Sequence, residues 1–434
     1  MESGNSRHPT WWVIPLAATL VVSCGGRAPG HPATPSAAIS VVGPWKDIEA
    51  TRFSRVLERF GSATRLRVTY IPAPDGVAVT LDRRRAAGLT TDVAFLPQPG
   101  LLRQYAGEDR LVPLDRPTAR EVRANYSPVW QNLGSVGGTL YGVWYKAADK
   151  SLVWYDIADF EQAGVIPPGT LDGLLQVADR LHRSGITPFS VGAAGGDAWT
   201  LTDWFENLYL TMEGPERYQL LSEHHLAWTD PSVIQTLQML KRILQPDYVA
   251  GGITGALRTT FVGSVEETFG GRTARAAMVS EGDFVAGVIT GSTPAQLGVE
   301  ADMFRFPPES PLSPWIIGGG DAAVLLSHSP AAAMLVRYLA TPDAAAVWAS
   351  FGGFISPNLN VDPAVYPDAI SRSLALSVLD AGDSFLFDLS DLQPAVFGST
   401  TAQGLFAELQ QFLAGGDARA TAARLEAEAS AAYR

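Results

Sequence analysis

The stretch TLYGVWYKAADKSLVWYD, residues 139–156, contains two apolar, aromatic runs that are separated by a short polar piece. Runs of this length and composition are typical of buried β-strands. Two arrangements fit the pattern. Either the two strands form a hairpin within one sheet, or they cross between two lobes and belong to different sheets. The choice between them decides the architecture of the whole chain.

Upstream of this stretch, short apolar runs alternate with amphipathic helices. Three segments are predicted strands, namely AISVVGP (38–44), LRVTYI (66–71) and DVAFLP (92–97). Helices are predicted between them, over residues 49–60 and over residues 76–87 behind the N-cap Asp75. Strand, helix, strand, helix and strand within about sixty residues indicate βαβ units, and therefore a parallel sheet.

Downstream of the quoted stretch, the pattern is mainly helical. Helices are predicted over 171–183 with Thr170 as N-cap, over 200–213, from Asp230-Pro231 to Leu244, over 330–340, over 342–350 and through most of the tail, 361–434. Buried strands are predicted at ARAAMVS (274–280) and AAVLLS (322–327). The mixture predicts an α/β protein.

Composition sets the limits of this prediction. The chain has 434 residues, of which 46% are hydrophobic, which is enough for two domains with their own cores. Charged residues make up 18%, the net charge is −12, and no basic patch is present, so nucleic acid is not an expected partner. A single cysteine excludes an internal disulfide framework and any multi-cysteine metal site. His224-His225 is interpreted as part of a solvated loop, and we expect no metal and no cofactor.

The N-terminus has the pattern of a secretory signal. Residues 11–22, WWVIPLAATLVV, are apolar but too short to span a bilayer as a helix, for which about twenty residues are needed. Val21-Val22-Ser23-Cys24 follows and resembles a bacterial lipobox, in which the cysteine is acylated and cleavage occurs before it. We therefore predict a lipoprotein signal peptide over 1–23 and a flexible Gly/Pro/Ala-rich tether over 24–38. The alternative is a plain secretory signal with a chance cysteine.

No catalytic motif is evident. The sequence lacks G-x-S-x-G, H-E-x-x-H, GxGxxG after a strand and the Walker A motif. The GGGD segment at 318–321 lacks the lysine of a phosphate-binding loop and is predicted to precede a strand rather than a helix. Spacing along the chain does not show whether two carboxylates lie across a glycosidic bond, so glycoside hydrolysis stays an alternative.

Tryptophan is the residue type that points to a ligand. Nine follow the predicted signal, namely Trp45, Trp130, Trp144, Trp154, Trp199, Trp204, Trp228, Trp315 and Trp348. Several lie beside glycine, proline or acidic residues at loop-like positions. An indole face matches the C–H face of a pyranose, and nearby polar groups can bond the hydroxyls, which need partners once they leave water. For each tryptophan taken alone, packing in the core is the alternative.

From about residue 39 to the end, the chain resembles the carbohydrate-binding, extracellular solute-binding subunits of ABC importers, particularly the α-glucoside type. The matching segments include AAGLTTDVAFLPQPGLL (86–102), LYGVWYKAADKSLVWY (140–155), DAWTLTDWFENLYL (197–210), IGGGDAAVLL (317–326) and VRYLATPDAAAVWASFGGFISPNLNV (336–361). Their order and spacing along the whole chain carry the resemblance.

The resemblance implies a two-lobed α/β clamshell of the periplasmic-binding-protein type. A central sheet in each lobe is flanked by helices, and the chain crosses between the lobes more than once. It therefore favours the crossing arrangement for residues 139–156. Residues 39–147 with 315–360 are expected to form lobe one, and residues 148–314 with 361–434 lobe two. A ligand would bind in the cleft, and the lobes would close around it by a hinge motion.

The resemblance also implies ligand contacts, residue by residue. They are Trp45 and Asp47 after the first strand, Gln98 after the third, Trp144 and Lys146 at the crossing, Trp199 and Asp203 at the start of a helix of lobe two, Glu281, Gly282 and Phe284 after the buried strand, Gly319, Gly320 and Asp321 in GGGD, and Asn358 in the return segment. The alternative for Asp203 and Asp321 is helix or turn capping. The alternative for Gly319 and Gly320 is a tight turn.

The expected function is a sugar receptor, without enzymatic activity, that delivers an α-glucoside or another di- or oligosaccharide to an ABC permease. It would act as a monomer on the outer face of the cytoplasmic membrane, held by lipid at Cys24. A lipid-anchored carbohydrate-active enzyme and a surface sugar-sensing or adhesive lipoprotein are the alternatives. One departure from the family is the lack of a cysteine pair around residues 250–280, which makes the contacts implied for Glu281 to Phe284 less direct.

Overall fold

The computed structural model describes residues 38–74, 76–308 and 314–434. The first elements are β1 (Ile39–Gly43), α1 (Asp47–Thr64), β2 (Val68–Pro72), α2 (Val77–Ala86), β3 (Val93–Leu96), α3 (Pro99–Gly107), α4 (Arg116–Asn125), α5 (Pro128–Leu133), β4 (Ser135–Val136), β5 (Thr139–Leu140), β6 (Gly142–Asp149) and β7 (Leu152–Asp156). The predicted signal peptide, Cys24, the tether as far as residue 37 and the N-cap Asp75 lie outside the described residues.

The middle of the chain is largely helical. It comprises α6 (Ile157–Ala163), α7 (Leu171–Arg183), β8 (Phe189–Ser190), α8 (Trp199–Ser222), α9 (Pro231–Ile243), α10 (Gly252–Ala256), α11 (Phe261–Phe269), β9 (Met278–Ser280), α12 (Val285–Ser292) and β10 (Ala301–Arg305). Then follow β11 (Ile316–Leu325), α13 (Pro330–Leu339), α14 (Pro342–Ala349), α15 (Ala369–Asp380), β12 (Phe385–Phe387), α16 (Leu389–Leu392), α17 (Ala395–Gly398), α18 (Gly404–Leu413) and α19 (Ala418–Ala432).

The first sheet contains the predicted βαβ units. Strands β2, β1 and β3 are parallel neighbours, and β11 continues the sheet antiparallel to β3. Strand β6 pairs with β11 from the other side, while the tail supplies β12, which is parallel to β11. Helix α1 covers this sheet with the apolar face Phe53, Val56, Leu57 and Phe60, which is buried. The prediction of a parallel sheet at the start of the chain is confirmed.

The second sheet has the order β10-β7-β9-β8 and lies among the helices of the middle segment. Strand β7 is antiparallel to both β10 and β9. Several predicted helix starts are confirmed with their caps. The Thr170 hydroxyl accepts a hydrogen bond from the backbone N–H of Gly173, and Asp230 accepts one from Ser232. Helix α8 has non-helical backbone at Gly214, with φ of 77°, before Pro215, so its first part covers the predicted 200–213 and a second part continues to Ser222.

The stretch that opens β6 and β7 crosses between the two sheets. Strand β6 belongs to the first sheet and β7 to the second, so the crossing arrangement is confirmed and the hairpin is wrong. The chain returns from β10 in the second sheet to β11 in the first, and it leaves β12 for helices that pack in the second core. The fold is therefore a two-lobed α/β clamshell. The residue bounds of the two lobes stay a prediction.

Two hydrophobic cores explain where most of the tryptophans lie. In the first, Trp45, Phe53, Phe95, Tyr145 and Trp348 form a contiguous aromatic cluster, with ring centroids 4.5–6.3 Å apart. In the second, Trp204 and Trp228 pack among Phe and Tyr rings. Packing within these cores accounts for Trp130, Trp144, Trp154, Trp204, Trp228 and Trp348. For these six the packing alternative is correct.

The GGGD segment lies inside β11 and does not precede a strand as predicted. It is extended backbone, so the tight-turn alternative for Gly319 and Gly320 is wrong. The glycines are needed because neighbouring groups approach closely. A Cβ at Gly320 would meet the carbonyl oxygen of Lys146, and one at Gly318 would meet the ring of Phe385. A register shift between Asp321 and Ala322 then bends the strand next to the site described below.

We expect Gly318→Ala to destabilise the protein by about 1–3 kcal/mol, because the added methyl has no free space between the Phe385 ring and the carbonyl oxygen of Ala148. Urea denaturation followed by circular dichroism measures the change. Gly169→Ala is the matched control, since nothing lies within 4 Å of its Cβ position. Equal midpoints for the two variants would contradict the close packing of β11.

Candidate functional site

A cavity of about 370 Å³ lies where β1, β2 and β3 end. Open parallel sheets bind ligands at the carboxyl ends of their strands, because the loops there are free to diverge. From the first sheet and its connections, the lining residues are Pro44, Trp45, Lys46, Asp47, Ile48, Glu49, Ala73, Pro74, Gly76, Val77, Pro97, Gln98, Lys146, Ala148, Gly320 and Asp321. The remainder are Lys150, Gly196, Asp197, Trp199, Thr260, Phe261, Val262, Phe284, Val288, Asp391, Ser399, Thr401 and Phe406.

The loop from β1 to α1 forms one side of the cavity. The indole N–H of Trp45 donates a hydrogen bond to Oδ2 of Asp321 at 3.1 Å, and the backbone carbonyl of Trp45 accepts one from the Tyr70 hydroxyl at 2.9 Å. Asp47 begins α1 with φ of 48°, an uncommon conformation for a non-glycine residue. The loop is therefore held by hydrogen bonds of both the side chain and the backbone of Trp45. Asp321 is held by the indole and caps no helix or turn, so the capping alternative for it is wrong.

The buried Lys146 forms an ion pair with the half-buried Glu49 beside Asp321. The two side-chain atoms lie 2.5 Å apart, and β6 and α1 supply one residue each. Burial works against the charge of Lys146, but the carboxylates of Glu49 and Asp321 outweigh it and raise its pKa. Burial raises the pKa of Asp321 to about 6, although Lys146 opposes the shift. Lys146 is therefore a permanent cation, while Asp321 titrates just below neutral pH.

Lys150 lies at the crossing itself and contacts two carboxylates. Its Nζ is 3.1 Å from Oδ1 of Asp203 on α8 and 2.5 Å from Oδ2 of Asp388, which follows β12. Burial opposes the ionisation of Asp388, but Lys150 and the Ser390 hydroxyl lower its pKa to about 2. For Asp203 burial prevails over Lys150, and its pKa is well above the usual range. This cluster joins three segments of the chain at the floor of the cavity.

Three aromatic rings form the opposite wall. The ring centroids of Trp199, Phe261 and Phe284 lie 5.2–5.7 Å apart, and the rings are tilted relative to one another. Asp197 fixes the edge of this wall, since its Oδ2 accepts a hydrogen bond from the backbone N–H of Phe261. Its Oδ1 lies 3.6 Å from Nζ of Lys46, on the other side of the cavity. The wall offers apolar faces with charged groups at their margins.

Eight of the predicted contact residues line the cavity together: Trp45, Asp47, Gln98, Lys146, Trp199, Phe284, Gly320 and Asp321. Asp203 and Gly319 do not line the cavity, but both lie next to the side chain of Lys150, which does. Asp203 is inside α8, four residues after its first residue Trp199, so it caps no helix and the capping alternative is wrong. Glu281 is buried near Asp203 and Lys150, with one carboxyl oxygen unpaired among the described residues. Gly282 accepts a hydrogen bond from the Trp154 indole.

The structure does not bring Trp144 and Asn358 to the cavity. The Trp144 ring packs against Trp130 and Phe387 in the first core. Asn358 is fully buried, and its amide donates to the carbonyl oxygen of Ala340 while its side-chain oxygen accepts from the backbone of Asn360. Both positions are used for packing or for local hydrogen bonds, which spacing along the sequence does not reveal.

Sequence reasoning missed Glu49, Lys150, Asp197, Phe261 and Asp391. One signal was present in the composition. The chain contains four lysines, Lys46, Lys146, Lys150 and Lys241, beside twenty-eight arginines. Three of these four lysines line the cavity, and among the described lining residues there is no arginine. A scarce residue type concentrated in one region is a signal that the linear sequence does contain.

A family model and several known proteins match most of this chain. A model of the family described as bacterial extracellular solute-binding protein matches residues 49–346. The osmoprotective compounds-binding protein GgtB of Synechocystis is 33% identical over 369 residues, which is 84% of this chain and 86% of that protein. The α-glucosides-binding periplasmic protein AglE of Rhizobium meliloti is 29% identical over 375 residues, with 83% and 81% covered.

Solved structures share the fold. The solute-binding protein RafE in complex with raffinose superposes with a TM-score of 0.74 at 16% identity, covering 92% of this chain and all of the other. The solute receptor AcbH, described with a preference for β-D-galactopyranose, gives a TM-score of 0.79 at 16% identity, with 92% and 99% covered. At this level of identity the likeness concerns the two-lobed fold.

We expect Asp283→Asn to stabilise the protein increasingly as pH rises. Asp283 is fully buried beside the crossing, where it accepts a hydrogen bond from the backbone N–H of Asp149, and burial raises its pKa to about 7 although Lys146 opposes the shift. An acid whose pKa is raised on folding holds its proton more tightly in the folded state, so the free energy of unfolding falls as pH rises from about 4 to about 7.

Asparagine keeps the accepting oxygen and does not titrate. Its advantage over aspartate should therefore be small at pH 4.5, grow through pH 7 and level off above it. Thermal unfolding across this pH range provides the measurement. The exposed Asp380→Asn is the control and should run parallel to the native protein. A constant difference between Asp283→Asn and the native protein at every pH would contradict the expectation.

Proposed function

The chain belongs to the bacterial extracellular solute-binding protein family, and from that premise we propose that it captures a sugar in the cavity and delivers it to the permease of an ABC importer. The sugar class that we propose is a small α-glucoside. The observation that carries the proposal is the pairing, in one cavity, of an aromatic wall with charged and polar groups opposite it. Apolar ring faces and hydroxyl partners together are what a neutral polyhydroxylated ligand requires.

The cavity supplies both parts in suitable positions. Trp199 and Phe284 offer faces on which a pyranose can stack, and Asp47, Lys146 and Asp321 offer donors and acceptors across from them. Its volume of about 370 Å³ is near the lower end of the roughly 300–1,000 Å³ that ligand cavities occupy. A disaccharide therefore suits it better than a long oligosaccharide. The names of the relatives GgtB and AglE, which refer to osmoprotective compounds and α-glucosides, agree with this class.

Binding would be coupled to lobe closure. The loops on the Trp45 side belong to the first sheet, and the Trp199 wall belongs to elements around the second. A ligand that contacts both sides has greater affinity for the closed form and shifts the population toward it. The permease would then recognise the closed, loaded receptor. We infer that the receptor acts as a monomer and that its chemistry is binding alone.

Family membership places the protein outside the cytoplasm, and we propose in addition that lipid on Cys24 anchors it to the outer face of the cytoplasmic membrane. Among the described residues no helix combines the length and the apolar character needed to cross a bilayer. The support for the anchor is the lipobox-like Val21-Val22-Ser23-Cys24 after a short apolar run. Two or more acyl chains provide stable anchoring, whereas a single chain does not.

Trp199→Ala should weaken the binding of a disaccharide about 10- to 100-fold, because it removes the largest face of the aromatic wall. A thermal-shift screen of maltose, trehalose and sucrose identifies the ligand, since specific binding raises the melting temperature, and calorimetry gives the affinity. Trp315→Ala is the matched control, because Trp315 lies in a separate, smaller cavity. Unchanged affinity in both Trp199→Ala and Asp321→Ala would contradict the site, and release of reducing sugar would contradict binding alone.

Mass spectrometry of the mature protein from a bacterial host tests the anchor. We expect the first residue to be Cys24, with acyl chains on its sulfur and amine. Cys24→Ser removes the acylated sulfur, so this variant should leave the membrane fraction or retain its signal. An unmodified Cys24, or a chain that begins downstream of it, would remove the anchor from the proposal.

A further inference from the structure

The cavity contains three lysines, and all three already have carboxylate partners. Nζ of Lys146 is 2.5 Å from Glu49, and Nζ of Lys150 lies between Asp203 and Asp388. Lys146 and the Lys150 cluster are almost entirely buried, whereas Glu49 is 25% exposed. Lys46, at the rim, is paired more loosely with Asp197 at 3.6 Å and is 44% exposed. The two buried lysines are therefore committed to protein carboxylates, and Lys46 at the rim is shared with Asp197.

Carboxylates outnumber the cations around the cavity. The described lining residues include five carboxylates, Asp47, Glu49, Asp197, Asp321 and Asp391, against three lysines and no arginine. Asp388, whose pKa is lowered to about 2, adds a further negative charge immediately behind Lys150. For Asp391, burial and the neighbouring Asp388 hold the pKa well above its usual range. An additional negative charge would meet an environment in which carboxylates already resist ionisation.

Helix N-termini are the other source of positive potential, because their unpaired N–H groups attract anions. Two of the helices that begin at the cavity already have acidic side chains there. Helix α1 carries Asp47 and Glu49 in its first turn. At α11, Asp197 accepts the hydrogen bond from the first backbone N–H, that of Phe261. Asp197 therefore takes the first N–H of α11 that an anion could use, and the two acidic side chains in the first turn of α1 oppose an anion there by their charge.

We propose that the cavity selects uncharged sugars and rejects sugars that carry a phosphate or carboxylate group, because each lysine of its lining is committed to a carboxylate of the protein. The inference rests on the proposed function, and it names the charge class of the ligand. To obtain a cation, an anionic sugar must take a lysine from its carboxylate partner. At Lys146 or Lys150 this separates an ion pair with a buried lysine, and at Lys46 it leaves Asp197, which is 14% exposed, without its cation. A neutral hydroxyl instead bonds to the paired groups without disturbing them.

Matched sugar pairs test the selectivity. Calorimetry at pH 7.5 compares trehalose with trehalose 6-phosphate and sucrose with sucrose 6-phosphate. For each sugar that binds, the phosphate ester should bind about 100-fold more weakly or not at all. Equal or tighter binding of a phosphate ester would overturn the inference while leaving a sugar receptor in place. If no sugar in the wider neutral and anionic set binds, the proposed function fails and this inference fails with it.

The variant Glu49→Gln tests whether charge or size causes the rejection of the phosphate ester. The substitution leaves Lys146 without its closest partner, so the affinity for trehalose 6-phosphate should rise on the order of tenfold, and added salt should reverse the gain. Glu58→Gln is the matched control, because Glu58 lies on the same helix α1 but is exposed and pairs with Arg55. It should leave both affinities unchanged. Rejection of the ester that persists undiminished in Glu49→Gln would show that size decides, and would overturn the inference.

Discussion

Lys150 is a buried cation at the point where the chain first passes between the two sheets, and the arrangement around it depends on its charge. Its two carboxylate partners come from α8 and from the segment after β12, which are remote in sequence. Removing one member of such a group leaves an uncompensated charge in the interior, which costs about 3–5 kcal/mol. Nζ of Lys150 therefore links the crossing segment to helix α8 and to the segment after β12.

The same cluster also forms the floor of the cavity. Lys150 lines it, and the Trp199 ring lies 5.4 Å from its Nζ, so the aromatic wall rests against the paired cation. Asp203 keeps one oxygen without a partner among the described residues, and burial raises its pKa strongly. A packed apolar core in this position would be easier to stabilise than a cluster of charges. The polar interior is retained where a polyhydroxylated ligand needs donors and acceptors.

The sequence predicted most of the fold, because its strands and helices follow hydrophobic periodicity and capping residues closely. The parallel strands, α7 behind Thr170 and α9 behind Asp230 are examples. Periodicity alone did not decide between hairpin and crossing for residues 139–156, since pairing is a property of distant strands. It also placed GGGD before β11 rather than inside it, because glycine in a strand looks like a turn until the close approach of Phe385 and Lys146 is known.

The candidate site was predicted less completely than the fold. Tryptophan was a useful signal, but burial separates Trp199, which reaches the cavity, from Trp144, which packs in the core with the same kind of neighbours in sequence. Lys150 lies in the segment 139–156 but was not among the predicted contacts, because its two partners lie 53 and 238 residues away. Ion pairs between remote segments leave no local pattern. Where one residue type is scarce, as lysine is here, its distribution is the more informative signal.

The contact between Lys46 and Asp197 shows what holds the two sides of the cavity together. It joins the loop after β1 to the segment before α8, but at 3.6 Å, with Lys46 44% exposed, it resembles a surface ion pair. Such pairs contribute about 0–1 kcal/mol, which is too little to fix a closed form by itself. Shifting a two-state equilibrium from 1:99 to 99:1 requires about 5.5 kcal/mol of differential binding. In the closure that we propose, the larger part would therefore come from a ligand that contacts both sides at once.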